Sequence, residues 1–112
     1  MTFRAFSLLL ALALVVHASD VSKLEQAARG GDCGAMIELA AMYYHGDSVP
    51  KNAQRAYVWG TIYMSMVPDY TRGIAKITGW AEDELSPAQH RDADAEIEKL
   101  TGEIKQAKGE RP

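Results

Sequence analysis

From Ser22 onward the apolar positions recur every three or four residues rather than alternating, a period that predicts helices and no strands. Glycine and proline punctuate the pattern at Gly30-Gly31, Gly46, Pro50, Pro68, Pro87 and Gly109. A first short helix is expected from Lys23 to Arg29, with Ser22 and Glu25 in capping-box spacing. The second starts at Asp32, whose carboxylate accepts from the free amides of the first turn, and stops at Gly46, a residue suited to the left-handed exit. A third runs from Asn52 to Val67 and is ended by Pro68. Asp69 is expected to cap a fourth, with Tyr70, Ile74, Ile77, Ala81 and Leu85 on one face. Ser86, Pro87 and Gln89 then form a strong start signal: a cap, a proline at the first helical position and a glutamine closing the box. The last helix carries Ala93, Ile97, Leu100, Ile104 and Ala107 on one stripe, so helices four and five are expected to fold back on each other as an antiparallel pair.

Ala35, Leu39, Ala40, Tyr43 and Gly46 stand on one side of the second helix and its exit, and are followed by Val49, Asn52, Ala56 and Trp59. In order and spacing, without insertion, this stretch resembles a Sel-one-like repeat, a relative of the tetratricopeptide repeat. Ala40 replaces a small glycine of the family pattern, Ser48 replaces the second turn glycine and Asn52 replaces a capping aspartate. Ser48 is expected to resist the positive φ that glycine accepts freely. The resemblance implies an all-α fold, a short α-solenoid of antiparallel helix hairpins with about five helices, and a scaffold or adaptor role. Its physical logic stands without the family. Small Ala35, Ala40 and Ala56 let two helices approach, Leu39 and Trp59 fill the gap, and Tyr43 buries its ring while its hydroxyl finds a partner. A single hairpin cannot bury its own apolar face, so residues 32–67 are read as the clear repeat and residues 69–108 as a capping helix pair.

The start of the chain has a different pattern. One basic residue, Arg4, precedes an apolar run from Ser7 to Val16, which ends at Val16-His17-Ala18. This is the order of a secretory signal peptide, with cleavage expected after Ala18. The run of roughly 11 residues is well short of the ~20 that span a bilayer as a helix, so no stable membrane anchor is expected. Residues 1–18 are thus read as the signal peptide and 19–112 as a single helical repeat domain of a protein that is periplasmic or secreted.

Composition narrows the function classes. With 47% hydrophobic and 24% charged residues the chain of 112 residues reads as one ordinary globular domain, which excludes collagen-like, coiled-coil and wholly disordered architectures. The net charge of −3 becomes one unit more negative once Arg4 is removed, leaving no basic excess for a phosphate backbone. Nucleic-acid binding is accordingly not expected. A catalytic cleft also needs a rigid supporting shell that so short a chain can hardly add to its core.

Candidate chemistry is sparse. His90, Asp92, Asp94, Glu96 and Glu98 have an echo of a calcium loop, but Ile97 stands where that loop needs glycine, and a helix points the carboxylates in different directions. No metal and no cofactor is expected. Glu82-Asp83-Glu84 is read as a structural acidic group just before the start of the last helix, where the free amides favour it. Cys33, the single cysteine, is expected to pack as a small buried apolar residue. His45 beside Gly46 suits a helix C-terminus, and no serine or Cys33 stands in a nucleophile motif. The positions that the repeat pattern leaves free on its first helix, Glu38, Met42, Tyr44 and His45, are the candidate partner-binding residues. The expectation is a non-enzymatic interaction module, adaptor, scaffold or inhibitor, for another envelope or secreted protein of a bacterium, with homo-oligomerisation open. The alternative is a periplasmic hydrolase of cell-wall or β-lactam substrates, although the β-lactam-related members of this repeat class carry paired cysteines that this chain lacks.

Overall fold

The computed structural model describes residues 20–109, all of whose regular elements are helices. The signal-peptide reading of residues 1–18 lies outside them. Helix α1 occupies residues 20–29 and is followed by α2 (Cys33–His45), α3 (Ala53–Met66), α4 (Arg72–Asp83) and α5 (Pro87–Ala107).

Local hydrogen-bond chemistry sets most of the boundaries. Asp32 Oδ1 accepts from the Ala35 amide at 3.2 Å and starts α2. Gly46 leaves that helix at φ 70°, with its N–H donating to Met42 O at 2.9 Å. The Asn52 side chain caps α3 by accepting from Arg55 N at 3.0 Å, while its own N–H donates to Tyr43 O at 2.8 Å and closes the α2–α3 hairpin. Both bonds of the capping box at Ser86 and Gln89 form at the start of α5, with Pro87 at the first helical position.

Two starts differ from the sequence expectation. Helix α1 is already formed at residue 20, so Ser22 lies inside it, and Glu25 is used elsewhere. Helix α4 begins after Thr71 rather than at Asp69, and Tyr70 is left 44% exposed instead of joining the buried stripe. Thr71 makes no capping bond with its side chain.

The α2–α3 loop contains Ser48 at φ 65°, a left-handed conformation that costs a residue with a Cβ roughly 1–2 kcal/mol. Replacing it with glycine removes that strain but adds about 0.4–1 kcal/mol of unfolded-chain entropy. Ser48→Gly is therefore expected to stabilise the protein by about 0.5–1 kcal/mol, measured by urea denaturation.

Helix α3 is the hub. Ala56, Tyr57, Val58, Trp59 and Gly60 are buried in succession, followed by Ile62, so this helix is covered all the way round. Helices α2, α4 and α5 all pack along it, and α1 joins the same core through Ala28, with Leu24 and Val21 against it. Tyr57 meets Asp94 near the starts of α3 and α5, and Ser65 and Met66 share a cavity with Ile104 and Lys108 near their ends, so these two helices run in the same direction. Helix α4 runs antiparallel to both. It does not lie along α5 as the stripes predicted: each packs on α3, which presents enough apolar and small surface for both. Gly60 makes the α4 contact possible, because a Cβ there would stand 2.1 Å from Thr78 Oγ1 and 3.1 Å from Thr78 Cβ. Ile74, Thr78 and Ala81 of α4 and Ala93, Leu100 and Ile104 of α5 complete the core, while Ala107 stays exposed.

Candidate interaction surface

The framework residues of the 32–67 hairpin behave as one packed unit. Ala35, Leu39, Ala40, Tyr43, Ala56 and Trp59 are buried, Val49 packs against them half-buried, and Gly46 forms the exit turn. Tyr43 shows what its hydroxyl is for. It donates to Glu25 Oε1 at 2.8 Å, and the same oxygen accepts from Arg55 Nη1 at 3.1 Å, so one carboxylate ties α1, α2 and α3 together. Burial, and next the Glu25 carboxylate, push the Tyr43 hydroxyl up to about 12. The Glu25 side chain is 15% exposed and its other oxygen is buried without a partner among the described residues, so this group serves tertiary structure rather than a cap.

The four candidate binding residues do not form one surface. Glu38 and Met42 face the α1 side of α2, where they line a small cavity of about 260 Å³ with Val21, Leu24, Asp47 and Ser48. Tyr44 points toward α4, as a step of two residues on a helix requires. Its ring lies 6.1 Å from the Trp80 ring, and the exposed His45 meets it edge-on at 5.1 Å. Lys51 Nζ stands 4.9 Å from the Tyr44 centroid and 3.1 Å from Glu84 Oε1. Tyr44, Trp80, Lys51 and Glu84 form a shallow, open groove together with Asp83. Trp80 is the residue that the sequence reading missed. It is 50% exposed and lies off the α4 stripe of Ile74, Thr78 and Ala81, so its ring is half in solvent beside Tyr44 and not part of the core.

The acidic run stands just before the Ser86 cap of α5, as expected, but it also forms the end of α4. Glu82 and Asp83 are the last residues of α4 and Glu84 is its C-cap, so the three carboxylates face the negative end of a helix dipole rather than assisting the start of α5. Lys51 compensates Glu84 and His90 compensates Glu82, while Asp83 has no partner among the described residues. Cys33, expected to be buried, is half-buried at the first position of α2.

Of the residues weighed as metal ligands, His90 and Asp94 come together and Asp92, Glu96 and Glu98 do not join them. His90 Nε2 is 2.8 Å from Glu82 Oε2 and Nδ1 is 3.0 Å from Asp94 Oδ2, while Tyr57 donates to Asp94 Oδ1 at 3.0 Å. Among the described residues no trio of His, Cys, Asp or Glu is placed to hold a metal ion. Two carboxylates offer only acceptors, so satisfying both at once requires a doubly protonated ring. The hydrogen bond to Glu82, aided by both carboxylate charges, raises the His90 pKa above 6.5. Burial first, and then Asp94, push the Tyr57 hydroxyl to about 12, which leaves it a proton donor at neutral pH. The imidazolium is thus favoured by the fold. Its contribution is fully present below pH 6.5 and is lost as pH rises through the elevated folded value. An NMR titration of the His90 ring should show a midpoint above that of an unfolded-state histidine, and Glu82→Gln should bring it down. A midpoint at or below 6.5 in the native chain would refute this arrangement.

No helix among the described residues is long and apolar enough to cross a membrane. Comparisons with protein families, with curated proteins and with solved structures give no match to this chain.

Proposed function

We propose that the chain is an exported, non-enzymatic binding module of the bacterial envelope or of the secreted proteins, built on one Sel-one-like hairpin and docking its partner on the Tyr44–Trp80 face. The observation that carries this reading is Trp80, a large aromatic half in solvent beside a second aromatic ring on a neighbouring helix. Exposed paired aromatics are the side chains that anchor interfaces, because they bury much area at little entropic cost. The repeat assignment is supported by the burial of its framework and by a left-handed Ser48 at the position of the pattern's second turn glycine. Hydrolysis finds less support: both nitrogens of His90 are committed to carboxylates, and neither a serine nor Cys33 bonds to it among the described residues.

The test is capture of a partner by tagged protein from an envelope fraction, followed by titration of that partner against variants. Tyr44→Ala with Trp80→Ala should weaken binding by tenfold or more, about 1.4 kcal/mol, with little change in helical signal. Glu38→Ala with Met42→Ala, on the other side of α2, should leave the affinity within about twofold. The reverse ranking would move the interface to the α1 side. Intact mass of the exported protein should begin at Ser19.

A further inference from the structure

Tyr44 stands in the last turn of α2 and Asp83 ends α4, and these two helices run in the same direction against α3. The groove between them therefore receives the negative ends of two helix dipoles. Its side chains add Asp83 and Glu84 against a single cation, Lys51, and that cation is already held by Glu84. Lys51 also lies over the Tyr44 ring, so the groove already accommodates one cation on an aromatic face. Trp80 has no cation over its ring among the described residues, and Asp83, three residues on and so on the same side of α4, has no ion-pair partner among them.

Resting on the docking face proposed above, we infer that the partner presents an arginine to this groove, its guanidinium stacked on Trp80 and hydrogen-bonded to the Asp83 carboxylate. The complementarity is of both shape and charge. A planar guanidinium stacks on an indole while offering donors at its edge, and it is desolvated at lower cost than an ammonium. The open form of the groove suits a side chain delivered by a partner's surface segment rather than an enclosed small molecule. An acidic or purely apolar partner segment would leave Asp83 uncompensated at a helix C-terminus.

The probe is a set of three blocked peptides, identical except for a central arginine, its neutral isostere citrulline, or glutamate, followed by the indole N–H resonance and fluorescence of Trp80. The second tryptophan, Trp59, is buried and gives a separate signal. The arginine peptide should saturate at a concentration at least tenfold lower than the citrulline peptide, and the glutamate peptide should be weaker still. Asp83→Asn, at an exposed helix end where a negative charge opposes the dipole, should not lower the melting temperature and should shrink that preference to twofold or less. Salt at about 1 M, where the screening length is roughly 3 Å, should do the same. Equal binding of the citrulline peptide, a preference that survives Asp83→Asn, or failure of the arginine peptide to saturate would each overturn the inference. If the captured partner needs Tyr44 and Trp80 but is indifferent to Asp83→Asn and to salt, the docking face stands and the arginine does not. If it is indifferent to the aromatic pair, both fall.

Discussion

Trp59→Ala is expected to remove about 3–5 kcal/mol of stability, the range for truncating a large buried aromatic, out of a total of about 5–15 kcal/mol for a small domain. The indole is 1% exposed and sits on the helix that α2, α4 and α5 all cover, so no single neighbour can move in to refill the space. Glu98→Ala, on the exposed side of α5, should change stability by less than about 0.5 kcal/mol. Chemical denaturation of the two variants checks the ranking. A loss of under about 1 kcal/mol for Trp59→Ala would mean that the centre of the core lies elsewhere.

Gly60→Ala should be the second costly change, and its sign is opposite to local propensity. Alanine in a helix interior normally gains about 1 kcal/mol over glycine. Here the new Cβ would be 2.1 Å from Thr78 Oγ1, and rotating that side chain would not relieve the 3.1 Å approach to its Cβ. Helix α4 has to back away from α3, an overpacking that costs about 1–3 kcal/mol and exceeds the propensity gain. Thr78 also uses its hydroxyl to donate to Ile74 O at 2.7 Å, which limits its freedom to turn. Adding Thr78→Ala should recover part of the loss, so the two changes are expected to be non-additive in a double-mutant cycle. Additive losses would show that the close approach is not what the glycine serves.

The parts of the fold that were readable in the sequence are those decided within a few residues. Asp32, Gly46, Asn52 and the Ser86–Gln89 box each act on an amide or carbonyl of their own helix end, and each stands where the spacing puts it. Glu25 shows the limit of that reading. Its capping-box spacing to Ser22 is real, but a tyrosine 18 residues away and an arginine 30 residues away bind the carboxylate instead. The packing of α4 on α3 was hidden for a related reason: it depends on the absence of a side chain at Gly60 and on a polar Thr78, neither of which shows in an apolar stripe. The candidate site was half legible. Tyr44 was singled out because the repeat pattern does not use it, whereas Trp80 needed the same question asked of α4: which large apolar residue falls off the buried face?

The hub position of α3 also bears on the order in which the core is completed. Leu100 and Ile104, from the far end of α5, enter the same core as Ala28 and Leu39, and Arg29 reaches Glu103 across 3.8 Å. A chain emerging with its amino end first leaves the surface of α3 that α5 covers bare until α5 has been made, although α2, α3 and α4 can already pack on one another. Docking of the last turns of α5 is thus the step that completes the core, after the helices before it have been made.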